Sequence, residues 1–189
     1  MMKNSRLINF GFQILAVFLA LCVTTLILLA AGAQPMEAYK NIIVGSVGSF
    51  DKFSDVLVAW IPLLITVAGL LITFTAGLWN IGVEGQIILG AIATTWVLRL
   101  LQDTATPPAL IIALSLLAGM AGGALWASLA GALKTFGGVN EIFGGLGLNF
   151  VATALTIWLI FGPWKRPGVA SIGGTESFEP QLWLSTLTD

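Results

Sequence analysis

An all-α fold, a polytopic bundle of about five membrane-spanning helices, is what this sequence predicts, and three observations predict it. Hydrophobic residues make up 57% of the 189 and charged residues 9%, with a mean hydropathy of +0.97, whereas about a quarter of the residues in a soluble domain are charged. The charges leave long gaps: none falls between Arg6 and Glu37, Asp55 and Glu84, Asp103 and Lys134, or Glu141 and Lys165. Small residues then recur every four positions at Gly119, Gly123, Ala127 and Gly131, a stripe that lets a second helix backbone approach closely.

Each gap holds a helix, since about 20 apolar residues at 1.5 Å rise cross roughly 30 Å of hydrocarbon. The spans expected are near 7–31, 57–78, 108–133 and 146–161. A fifth is expected near 85–101, extended by Arg99 snorkelling to the interface. All belong to one transmembrane domain covering 1–189. The first span has a rival reading as a signal peptide, because Lys3 and Arg6 precede it and Ala31-Gly32-Ala33 resembles a cleavage site. Its apolar run is longer than the 7 to 15 residues of a signal core, which favours a retained helix.

Between the first two spans, 34–55 reads as a membrane-adjacent connection on the outer face, broken by Gly45, Gly48 and Ser49. Pro62 reads as lying in the first turns of the second span and Pro107 and Pro108 as starting the fourth, where a missing N–H costs little. The third span has a row of its own in Gly82, Gln86, Gly90 and Thr94. Trp60, Trp79, Trp164 and Trp183 fall at or beyond span ends, as in an aromatic belt. The stretch 162–189 is polar and turn-rich and reads as an extracytoplasmic loop. Charge bias does not orient the chain: with the N-terminus inside, Lys3, Arg6 and Lys134 are inside but Lys40, Lys52, Arg99, Lys165 and Arg166 are outside.

Composition also excludes functions. Net charge is −1, there is no histidine and the only cysteine is Cys22. Disulfide frameworks and metal sites are therefore not expected within one chain, and Cys22 reads as lipid-facing or core filler. No basic run is present to neutralise a nucleic-acid backbone. No GxxxxGK[ST] loop is present to bind nucleotide phosphates, so no cofactor and no enzymatic step are expected of the chain.

Two polar clusters interrupt the apolar sequence. Asn80, Glu84 and Gln86 lie in a junction punctuated by Gly77, Gly82 and Gly85. A helix break of this kind leaves unpaired backbone groups, tolerable in a membrane only where protein or a water-filled pathway receives them. Two readings stay open: an interfacial turn with Asn80 capping the next helix, or an element that lines a solute pathway. In the second cluster Asn140 is an N-cap candidate and Glu141 suits the first helical turn. Asn149 lies deeper, placed to bond another helix or a polar solute.

The first cluster, AGLWNIGVEGQIILGA over 76–91, resembles the AGLFNIGAEGQ signature of permease subunits of ABC-type importers for nucleosides and simple sugars. The second, GVNEIFGGLGLN over 138–149, is similar to that family's GVNEVIxTLMLN, matching at Gly138 to Glu141, Leu146, Leu148 and Asn149. It departs where Gly145 stands for the usual threonine and Gly147 for methionine. The resemblance reaches from the first helix to the GPWKRPG loop, the N-terminal half of such a permease, and implies a fragment or truncated product.

What the resemblance implies is alternating access in the plasma membrane, with a cytoplasmic N-terminus. The partners it implies are a cytoplasmic ATP-binding subunit, a second permease subunit and an extracytoplasmic substrate-binding lipoprotein, besides membrane lipid. ATP would be bound by the partner, and Asn80, Glu84, Gln86 and Asn149 are the candidate pathway residues. A structural or assembly membrane subunit and a branched-chain amino-acid type permease are the alternatives.

Overall fold

A computed structural model of the chain describes residues 2–168 and 175–184, with side chains from Phe10 onward. The described residues form six α-helices: α1 (Met2–Ala30), α2 (Pro35–Val47), α3 (Phe50–Thr75), α4 (Val83–Leu101), α5 (Pro108–Thr135) and α6 (Glu141–Phe161), followed by a 3-10 turn at Pro180–Leu182. Among them, α1 from Phe10, α3, α4, α5 and α6 are long and apolar enough to cross a membrane. The side chains of Lys3 and Arg6, and Gly173 and Gly174 of the last loop, lie outside the described residues.

The chain divides into two units within α3, at Ile61 and Pro62. In the first unit α1 and α2 form a helical hairpin. Tyr39 ties it, its hydroxyl lying 2.8 Å from Thr25 Oγ1 and donating to Leu21 O at 3.2 Å. The segment expected as a membrane-adjacent connection is mostly helix. Pro35 at the first helical position, with its fixed φ, and Glu37 in the first turn start α2. Gly45 inside it weakens a helix by about 1 kcal/mol without breaking it. Gly48 and Ser49 do end the helix, and Lys52 Nζ covers its last turn by donating to Val44 O at 3.2 Å.

A second correction concerns Pro62. Because α3 starts at Phe50, its polar first turns (Asp51, Lys52, Asp55) precede the apolar stretch, and Pro62 lies in the helix interior rather than in its first turns. A proline there has no N–H to donate to the carbonyl four residues back.

In the second unit α4 runs antiparallel to α5, and α5 to α6, around a small core of Ile111, Leu148, Ala152, Leu159 and Leu182. Contact between α4 and α5 is backbone against backbone. A Cβ on Gly123 would lie 3.2 Å from Gln86 O, one on Gly90 3.1 Å from Gly119 O, and one on Gly122 2.7 Å from Ala93 Cβ. Gly119 and Gly123 of the small-residue stripe thus meet α4, together with Gly122. Gly131 faces open space. Most large apolar side chains of α1 and α3 are exposed, as on helices whose surroundings are lipid or further protein.

Beyond α6 the chain turns back across the end of α4. Lys165 and Thr175 form an isolated antiparallel bridge. The Arg99 guanidinium lies 5.5 Å from the Trp164 ring centre and 5.3 Å from that of Phe178, and it donates to Glu176 O at 3.2 Å. Arg99, in the last turn of α4, is therefore held under this loop.

Candidate functional site

The break between α3 and α4 is built by glycine. Helix α3 closes with Gly77 at φ +73°. Gly77 N–H bonds Phe74 O at 3.0 Å and Leu78 N–H bonds Thr73 O at 2.9 Å, the pairing that satisfies a helix C-terminus when a residue can take the left-handed conformation. The chain then reaches α4, whose N-cap is Gly82, with no side chain capping it. Asn80, one reading of which was a cap, does something else. Its Nδ2 donates to Gln86 Oε1 at 3.3 Å and its Oδ1 accepts from Gln86 Nε2 at 3.0 Å. This reciprocal amide pair is half-buried.

Helix α6 supplies what the break lacks. Asn149, 7% exposed, accepts from Gly85 N at 2.8 Å through Oδ1 and donates to Ile81 O at 3.0 Å through Nδ2. One side chain thus pairs a donor of the first turn of α4 with an acceptor of the segment before it, groups that would otherwise cost about 1–3 kcal/mol each. Such an approach needs bare backbone. A Cβ on Gly145 would sit 2.7 Å from Gly82 N, and one on Gly85 would meet both Asn149 Oδ1 and Trp126 Nε1 at 2.8 Å.

These contacts fix the depth of the break. Helix α6 starts at Glu141, where Asn140 Oδ1 accepts from Ile142 N at 2.9 Å as the N-cap. The break lies beside Gly145 and Asn149, which a rise of 1.5 Å per residue places about 6–12 Å along α6 from that end. It is recessed into the bundle, not level with the helix ends.

Of the spaces that open on it, two are lined by the amide pair. An open groove of about 760 Å³ runs between the Pro62–Thr75 part of α3 and helices α4 and α5; Thr66, Thr73, Asn80, Gln86 and Thr94 provide its polar lining, and Ala127 is part of its wall. A recess of about 140 Å³ lies beside Trp79, Asn80, Gln86, Gly131 and Gly145. At its rim Lys134 Nζ and Glu141 Oε1 are 3.1 Å apart. Glu84 is exposed on the first turn of α4 and lines neither space.

Of the four candidate pathway residues, then, the structure brings Asn80 and Gln86 together on the groove, buries Asn149 behind them and leaves Glu84 apart. Gly122 and Trp126 were not singled out for a role by sequence reasoning. A glycine one position from a regular four-residue row was the available signal for Gly122, and Trp126 gave none beyond its place inside a span.

The family model for the permease component of branched-chain amino acid transport systems matches residues 52–186. The chain belongs to this family of permease components. A glucose ABC transporter permease protein of Haloferax volcanii is 36% identical over 89% of the chain and 42% of its own length. A nucleoside ABC transporter permease protein of Lactococcus lactis subsp. cremoris is 26% identical over 93% of the chain and 50% of its length, and a guanosine ABC transporter permease protein of Bacillus subtilis 28% over 82% and 44%. The chain spans about half the length of the curated relatives it matches. No solved structure matches it. Family membership and five helices able to span make this a multi-pass membrane protein.

Proposed function

We propose that this permease component moves a neutral, hydroxyl-rich solute, a nucleoside or simple sugar, across the cell membrane by alternating access. The observation that carries the reading is the groove, whose polar lining is the Asn80–Gln86 amide pair and three threonine hydroxyls, with no charged side chain along it. Amides and hydroxyls both donate and accept, as a solute with hydroxyls and ring nitrogens requires to exchange its water hydrogen bonds. A branched-chain amino acid, the solute in the family's description, carries an ammonium and a carboxylate, and the groove offers neither a counter-charge. The relatives named for glucose, nucleosides and guanosine support the same class.

In this reading ATP is bound and hydrolysed by a cytoplasmic partner subunit, solute is delivered by an extracytoplasmic binding lipoprotein, and a second permease subunit completes the pathway. The chain itself uses no cofactor. Asn80 and Gln86 contact solute, Asn149 holds the break in place, and Glu84 favours the start of α4 through the helix dipole. The Asn80 end faces the cytoplasm and the Arg99 end the outside, following the family resemblance.

Replacing Asn80 by alanine in the complete transporter tests this, with uptake of labelled guanosine, glucose and leucine measured beside assembly. Nucleoside or sugar uptake is expected to fall about fivefold to tenfold with assembly intact, the equivalent of one to two lost hydrogen bonds. Uptake of leucine alone, or unchanged uptake in the variant, would overturn the solute class or the pathway respectively. Glu84→Ala is expected to change uptake less than Asn80→Ala.

A further inference from the structure

Helices α4, α5 and α6 meet at Gly85, and the polar groups there do not balance. Trp126 Nε1 is buried and has no hydrogen-bond partner among the described residues. Asn149 Oδ1 accepts one bond, from Gly85 N. The point where a Cβ on Gly85 would stand is 2.8 Å from the indole nitrogen and 2.8 Å from that oxygen, so both groups border one small space that only a glycine leaves free. A buried donor without an acceptor is rare enough in a folded protein to need a reason.

We propose that Trp126 and Asn149 are an exchange pair: when the first turn of α4 moves away, the indole N–H of Trp126 takes over the Asn149 oxygen that Gly85 N–H releases. The inference rests on the alternating-access reading above. Gly85 N–H belongs to the first turn of α4, whose donors have no partner within the helix and can be satisfied by water. Water in the groove receives it once the turn has moved. At this junction the indole N–H of Trp126 lacks a partner among the described residues, and the move gives it an acceptor. This offsets part of the loss of the contact between Gly82 and Gly145 that holds the break closed. Trp126 touches no solute in this scheme and is a positioning residue.

The test uses the complete transporter with every native cysteine, Cys22 included, replaced by serine, so that a cysteine at Ile87, which is exposed on the groove, is its only thiol. Labelling of Ile87→Cys by a water-soluble maleimide is followed in the resting and vanadate-trapped states, beside uptake kinetics. Trp126→Phe, which keeps an aromatic ring and removes the N–H, is expected to reduce the change in labelling between states about fivefold to tenfold, and to lower kcat for uptake similarly with KM unchanged. Benzothienylalanine at 126 replaces only the N–H by sulfur and gives the same result if packing is not the cause. Labelling and uptake like the parent's in both variants would overturn the exchange, leaving the transport reading intact; an ordered water on the indole would produce that outcome. A parent transporter whose labelling does not respond to nucleotide would overturn the transport reading and the exchange together.

Discussion

Helix α4 begins against neutral amides and bare glycine backbone and ends under a cation held between aromatic rings. At the first end Asn149 makes two directional hydrogen bonds to backbone groups, and Gly82 and Gly145 meet with no room for a Cβ. At the other, Arg99 faces Trp164 and Phe178 at more than 5 Å, with Trp96 tilted 6.2 Å from Trp164. Hydrogen bonds of an amide fail when the geometry moves by about an ångström. A cation over a ring keeps much of its attraction over a broad range of positions within about 6 Å. The break is thus fixed sharply in this one arrangement, while the loop at the far end is held by a clamp that tolerates sliding. The two ends of one helix are thus held by different physics, one directional and the other tolerant of displacement.

Removing the directional element is expected to have the largest effect. Asn149→Leu keeps the branched outline but leaves Gly85 N–H and Ile81 C=O unpaired, which should cost about 2–4 kcal/mol, read as a lower melting temperature of the purified complete transporter and lost uptake. A melting temperature like the parent's would mean that α6 does not hold the break. Next comes Gly145→Thr, expected to cost about 1–3 kcal/mol by overpacking against Gly82. The same residue type stands at this position in the family motif that the segment resembles, so a neutral outcome would show that the close approach of Gly82 is dispensable. Arg99→Ala should have the smallest effect on stability, about 1–2 kcal/mol, and act at the other end. Proteolysis within 175–184 should quicken while uptake persists, and Arg99→Lys should recover part of the protection. Uptake that fell with Arg99→Ala as far as with Asn149→Leu would erase the contrast between the ends.

The fold was legible where composition alone decides the outcome. Uncharged stretches such as 104–133 have one low-energy solution in lipid, a helix with every backbone group paired internally. Segments balanced between water and lipid were less readable. Residues 34–55 read as a membrane-adjacent connection because Gly45, Gly48 and Ser49 break them, yet Pro35 and Glu37 start a helix there. The position of Pro62 depended on where α3 begins, and the charges of its first turns had placed that start too late.

Within the site, the types of residue were legible and their partners were not. Asn80, Gln86 and Asn149 stood out as polar groups in oily sequence, and Asn140 as an N-cap by its place before a helix. Trp126 remained indistinguishable from any aromatic residue inside a span.

The sequence by itself determined that this chain lies in a membrane, that its helices break at 76–85, and that small residues allow α4 and α5 to meet. Those are consequences of solvent transfer and of missing side chains, which each segment carries alone. Only the tertiary structure decided that Asn149 closes the break, that Asn80 pairs with Gln86 rather than capping α4, and that Arg99 lies beneath a loop. The bonds of Asn149 join residues 64 and 68 positions apart. Whether an amide meets a particular backbone group at that separation depends on the relative depth of two helices, which is set by glycine contacts between them and written in neither helix alone.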